Sequence, residues 1–140
     1  MTAAWKVRFG LGLGTTNVLG EPSAFAGLVD RLEELRFDSL WISERATGPT
    51  LDPLTALAFA AGRTTRLKLG TSVLVVPGRN PVLLAKAATT VDVLSNGRLI
   101  LGLGVGSRPE DFQATEVPIH QRGSRMDESI AICKLAWSGA

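Results

Sequence analysis

Residues 67–103, LKLGTSVLVVPGRNPVLLAKAATTVDVLSNGRLILGL, decide the fold. The run opens with Leu67 to Val75, apolar and too continuous for a half-solvated strand, and closes with Leu99 to Leu103, which has the same character. Between them Leu84, Ala88, Val91 and Leu94 recur at helical spacing. Asn80-Pro81 sets a capping side chain before a proline at the first helical position, and Asn96-Gly97 ends the helix with a pair that tolerates left-handed backbone. The unit is therefore strand, helix, parallel strand. Working outward, Val7 to Leu13 and Asp38 to Ile42 read as two earlier strands. A helix bearing Phe25, Leu28, Val29, Leu32 and Leu35 joins them. A second helix starts at Asp52-Pro53 and stops at Arg63-Thr64-Thr65, and Glu21-Pro22-Ser23 marks the start of the first in a similar way. A last helix carries Met126, Ile130, Cys133 and Trp137 on one face, placed to pack on the sheet. Strands thus begin roughly every 30 residues, a βα repeat that suits either an open doubly wound sheet or a (β/α)8 barrel.

The chain has 140 residues, 45% of them hydrophobic, enough for one compact domain spanning 1–140. A full barrel takes about 250 residues, so four βα units amount to half of one. The first and last strands would then carry unpaired parallel edges. A truncated reading frame, an excised fragment and a half-barrel completed by dimerisation all fit that expectation, with truncation favoured. The formal charge of +2 comes from scattered basic residues, which argues against a nucleic-acid partner. The single Cys133 cannot form an internal disulfide, and Met1 to Lys6 does not read as a secretion signal, so a cytoplasmic setting is expected. No stretch approaches the roughly 18 apolar residues of a membrane-spanning helix.

Several segments could carry chemistry. Gly10-Leu11-Gly12-Leu13-Gly14 and Gly102-Leu103-Gly104-Val105-Gly106 are GxGxG, and neither is a GxGxxG opening directly into a helix, so a dinucleotide fingerprint is not supported. Glycines within strands leave room for interior side chains, or for a flat cofactor lying against the backbone near Gly12. Ser43-Glu44-Arg45 follows the second strand, at the carboxyl end where ligands bind in parallel α/β proteins. A solvated loop with Glu44 and Arg45 bridging each other is the alternative. Gly70 to Pro77 ends the third strand with small polar residues, Thr71 and Ser72, where backbone could approach a ligand closely. Ser107-Arg108-Pro109-Glu110-Asp111 follows the fourth strand, where Arg108 could meet an anion or simply stand in a capped turn into a helix. His120 lacks a second ligand at metal-binding spacing, so no metal site is expected. No Ser-His-Asp or Cys-His set is evident.

Taken together, several segments resemble the luciferase-like monooxygenase superfamily, the (β/α)8 flavin- and deazaflavin-dependent oxidoreductases. The match runs through Leu35 to Arg45, Leu51 to Leu57, Thr64 to Val73, Arg79 to Lys86, Leu94 to Gly106 and Leu135 to Gly139, in family order. It covers the family's N-terminal half. The resemblance implies a TIM-barrel-type α/β fold with parallel strands in order 1-2-3-4. It also implies that Ser72-Val73 corresponds to a non-prolyl cis peptide that supports one face of the cofactor ring. Thr71, Ser72 and Val73 would then adjoin the ring, Glu44 would hydrogen-bond its polar edge, and Val105-Gly106 would lie beside it. Arg45 stands where many deazaflavin-dependent relatives have His. An always-charged guanidinium cannot shuttle a proton near neutral pH but could orient an anionic or carbonyl substrate. Ser107 falls where some sugar-phosphate dehydrogenases of the family carry a Glu proton donor.

The resemblance further implies that the cofactor's phosphate is held largely from the barrel's second half, so that the chain alone would bind flavin weakly. The expected function is hydride transfer or monooxygenation of a small organic substrate, with Arg45 and Ser107 nearest the chemistry and coenzyme F420 favoured over FMN. The expected partners are that substrate and a second copy of the chain, with no membrane partner. A non-catalytic, self-associating half-barrel serving assembly or binding is the rival reading.

Overall fold

The computed structural model describes residues 7–15 and 22–139. The expected helix start at Glu21 lies outside the described residues. Four parallel strands, β1 (Gly10–Leu13), β2 (Ser39–Ile42), β3 (Lys68–Thr71) and β5 (Leu99–Ile100), form one sheet in that spatial order. β4 (Leu74–Val75) and β6 (Leu103–Gly104) form a second parallel ladder. Each of the last two expected strands is therefore split in two. The first split falls at Ser72-Val73, whose peptide bond is cis. Neighbours follow chain order, with Gly12 opposite Trp41 and Trp41 opposite Gly70. The sheet lacks the reversal of order that a doubly wound fold requires.

The crossovers are α1 (Pro22–Glu34), α2 (Pro53–Arg63) and α3 (Pro81–Leu94). Their caps form as the sequence predicts. Asp52 accepts the Thr55 N–H at 2.9 Å, and Asn80 accepts those of Val82 and Leu83 at 3.0 and 3.2 Å. Asn96 and Gly97 take positive φ of 55° and 72°, the left-handed turn that ends α3. Alternation along the strands sends Leu40, Ile42 and Leu69 outward into the core, against Val29, Leu32, Leu54, Leu57, Ala60, Leu84 and Val91 of the helices. The opposite face carries Ser39 and Trp41. The indole donates to Ser39 Oγ at 2.8 Å and occupies the space a side chain at Gly70 would need. Glycine in these strands makes room for a crowded interior.

Beyond β6 the chain turns at Arg108 into the short α4 (Pro109–Ala114), the helix that the capped-turn alternative anticipated, and then a single 3-10 turn before α5 (Arg122–Ser138). The expectation that this last helix packs on the sheet is corrected: α5 lies chiefly along α3. Cys133 Sγ sits 3.4 Å from the Pro81 carbonyl oxygen, and the Trp137 indole donates to Ala85 O at 3.3 Å. Cys133 is buried, and burial pushes its thiol pKa up.

Two polar hubs lock the end of the sheet where strands begin. Glu33 accepts the N–H groups of Thr65, Arg66 and Leu67 at 2.9, 2.9 and 3.0 Å, capturing the turn into β3. Burial raises its carboxyl, but these bonds outweigh it and hold the pKa below its ordinary value. Arg98 is buried and directs its five N–H groups at Ser95 O, Thr64 Oγ1, Leu67 O, Ala61 O and Thr64 O, all within 3.1 Å. It joins the end of α2, the end of α3 and the start of β3. No described helix is long and apolar enough to cross a membrane.

Candidate active site

At the other end of the sheet the chain leaves β2 through Ser43, Glu44 and Arg45. The Ser43 hydroxyl donates to Ser72 O at 2.6 Å and the Glu44 N–H to Val73 O at 3.2 Å, so both carbonyls flanking the bulge are fastened from one side. The bulge is fastened from the other side by Thr71, whose hydroxyl donates to Gly102 O at 2.8 Å and accepts the Gly102 N–H at 2.9 Å. A side chain at Gly102 would meet Thr71 O, and one at Gly104 would meet the Val73 side chain. The second GxGxG is thus a close-approach element, not a phosphate loop. Val73 is 43% exposed above Gly104, Val105 is equally exposed at the end of β6, and Gly12 has open space where a Cβ would stand. Gly106 takes φ of 73° against Val75 and the Phe112 ring.

The Glu44 carboxylate turns inward, its side chain only 7% exposed. It accepts the Val75 N–H and pairs with Arg79, which also reaches Asp52 Oδ2 at 2.6 Å. Burial raises the Asp52 carboxyl, yet the Arg79 and Thr55 bonds hold its pKa below the usual carboxylate value. The same two carboxylates raise that of Arg79 against its own desolvation. Arg45 pairs with Glu110 of α4 at 3.4 Å. The expected alternative of a Glu44–Arg45 bridge is therefore corrected, because each residue finds its opposite charge on a different neighbouring element. Asp111 is buried and accepts both the N–H and the hydroxyl of Thr47, at 2.9 and 2.6 Å, tying the loop after β2 to α4. Burial raises its carboxyl, and the Thr47 and Ala46 bonds and the Arg108 charge bring it below its ordinary value.

Of these groups Glu44, Arg45, Asp52, Arg79 and Asp111 line a cleft of about 260 Å³, with Leu51, Val75 and Phe112 among its apolar walls. Glu44 and Arg45 belong to it. Val73, Val105 and Gly12 lie outside it and are exposed, and Ser107 is exposed beyond β6, its hydroxyl without a hydrogen bond among the described residues. Arg108 stands at the N-cap position of α4 without a side-chain cap bond. Arg79 and Asp111 were not singled out from sequence. A usable signal was that a carboxylate at the inner end of a parallel strand needs a cation, and Arg79 is the basic residue that follows β4. Among the described residues no cluster of His, Cys, Asp or Glu could hold a metal ion.

Sequential parallel strands, outer helices and a polar crevice at the strands' carboxyl ends define an α/β-barrel type of fold. The chain belongs to the luciferase-like monooxygenase family, whose model matches residues 2–140. It is 34% identical over 129 residues to an F420-dependent glucose-6-phosphate dehydrogenase of Kineococcus radiotolerans, covering 84% of this chain and 37% of that protein. The crystal structure of monooxygenase RslO1 from Streptomyces bottropensis superposes with a TM-score of 0.82 at 30% identity, over 94% of this chain and 43% of that one. The oxygenating constituent of the Pseudomonas putida 3,6-diketocamphane monooxygenase, solved with FMN, also gives 0.82, over 94% and 40%, and at 21% identity it shows the fold alone. The chain spans about a third of the length of the curated relatives it matches. These neighbours are luciferase-like TIM-barrel enzymes, in keeping with the strand order.

Proposed function

We propose that residues 1–140 supply the N-terminal half of a (β/α)8 oxidoreductase and form one face of its site for a deazaflavin or flavin ring, coenzyme F420 being favoured over FMN. The carrying observation is the exposed Val73 side chain above Gly104, with Val105 exposed one residue further on and Gly12 of β1 open where a Cβ would stand. An aromatic ring fits such a surface, which is apolar and which glycine keeps shallow. Glu44 and Ser43 fix the backbone under it, and Thr71 fixes it from the β5–β6 side. When bound, the ring supplies hydride-carrying chemistry or oxygen activation. Arg45 lies beside that surface as a permanently charged donor and orients a small organic substrate without exchanging its proton. The preference for F420 rests on the Thr71-Ser72-Val73 and Glu44-Arg45 segments, which resemble the deazaflavin branch, and on the F420-dependent relative. β1 and β5, each bonded to one strand among the described residues, pair on this reading with further barrel strands from a second copy or a longer protein.

The test uses rings without phosphate tails, lumiflavin and 5-deazalumiflavin, titrated into the 140-residue chain while tryptophan fluorescence is followed. Saturable quenching by both, tighter for the deazaflavin and abolished by Val73→Asp, is the expected result. Quenching that Val73→Asp leaves unchanged would remove the ring from this face.

A further inference from the structure

In a parallel ladder one residue spans its neighbour: its N–H gives to one carbonyl, and its own carbonyl takes the N–H two residues further on. Glu44 does this to β4 by mixed means. Its N–H donates to Val73 O at 3.2 Å, but the Val75 N–H is taken by its carboxylate. The side chain thus stands in for strand where β2 has already stopped at Ile42. The other flank of β4 serves different donors. Leu74 and Val76 give their N–H groups to Gly102 O and Gly104 O at 2.8 and 3.0 Å, and alternation turns the Val75 N–H toward Glu44. A carboxylate only 7% exposed needs a cation beside it, because burying an unpaired charge is costly. Arg45, next in sequence, is drawn off to Glu110, and Arg79 supplies the cation instead. The same Arg79 nitrogen reaches Asp52, whose other oxygen caps α2 through the Thr55 N–H. The Arg79 backbone is itself set by the turn that its N–H closes on Val76 O at 2.9 Å. One guanidinium therefore links the end of β2, the strand β4 and the start of α2.

We infer that Arg79 is a positioning residue for the ring site. It acts through Glu44, holding that carboxylate on the Val75 N–H and so keeping β4, with Val73 immediately before it, where an aromatic ring can lie on the Val73 side chain. That a ring is what Val73 meets rests on the proposed function. The grip on β4 does not.

The experiment measures amide hydrogen exchange at Leu74, Val75 and Val76 of the 15N-labelled chain, and the affinity of the same samples for 5-deazalumiflavin. Arg79→Met is expected to speed Val75 exchange about tenfold or more relative to Leu74 and Val76, and to weaken ring binding about tenfold. A general loss of stability moves all three amides alike, so their ratio reads the local grip. Arg79→Lys, which keeps a cation, is expected to return both readings to within about threefold of wild type. Glu44→Gln offers one acceptor oxygen where Val75 and Arg79 take two, and is expected to move both readings in the same direction as Arg79→Met. It serves as the test should Arg79→Met fail to fold. Glu33→Gln, at the opposite end of the sheet, is expected to leave the exchange ratio and the ring affinity as they are. Three amides that keep in step in Arg79→Met and in Glu44→Gln would overturn the inference. Unchanged ring affinity in a variant whose Val75 has been released would overturn it too. If wild type takes up no ring while Arg79→Met still releases Val75, the proposed function is what has failed: the grip stands and its purpose is overturned.

Discussion

Arg98 and Arg79 occupy opposite ends of the same sheet and are treated in opposite ways. Where strands begin, the five N–H groups of Arg98 all find oxygens, and Glu33 gathers three consecutive backbone donors. Where strands stop, Arg79 holds two carboxylates through one nitrogen while its Nε is buried with no partner among the described residues, as is that of Arg45. A hub that is fully satisfied has nothing left to offer a ligand and serves stability. One that is part-satisfied, at the end of a parallel sheet where ligands bind, contributes less to stability.

Removing Arg98 should therefore break the most. Arg98→Met takes the donor away from four backbone carbonyls and from the Thr64 hydroxyl oxygen in a buried site, and a loss of about 3 kcal/mol or more is expected in urea unfolding. A loss within about 1 kcal/mol would show that the saturated end is not the stabilising one. Glu33→Gln keeps the shape but gives up the charge that its three N–H donors face, at a cost of about 1–2 kcal/mol near neutral pH. Because the folded chain holds the Glu33 carboxyl below its unfolded value, the unfolded chain takes up the proton first. This contribution is whole above the unfolded pKa of about 4.3 and drains away as pH falls through the folded one. The gap between wild type and Glu33→Gln should accordingly narrow on acidification, and a gap constant from pH 7 to 3 would contradict the assignment. Thr50→Val has the smallest effect. It removes a hydroxyl that has no partner, so stability is expected to stay within about 0.5 kcal/mol of wild type or to rise. A clear loss would mean that the cleft end is satisfied after all.

Much of the fold could be read from the chain because its signals are local. Asp52-Pro53, Asn80-Pro81 and Asn96-Gly97 each fix a helix end through contacts a few residues away, and apolar runs of fixed spacing order the strands. The site was legible only in part. Position after β2 singled out Glu44 and Arg45, but their partners Arg79 and Glu110 lie 35 and 65 residues further on, and nothing local pairs them. Glu44 consequently turned out to be bound within the protein rather than bridged to Arg45. Arg98 was hidden for a similar reason, since a buried arginine is legible only once the carbonyls converging on it are known. α4 was legible only as one of two readings of the turn at Arg108, because six residues give too little periodicity to decide it.

Mapping where a ring lands tests the difference between the two ends most directly. Backbone amide shifts of the 15N-labelled chain would be recorded during titration with 5-deazalumiflavin. The account predicts saturable changes at Gly12, Val73, Gly104 and Val105, with Glu33, Thr65 and Arg98 unmoved. Changes centred on Glu33 and Arg98, or none that saturate, would contradict it.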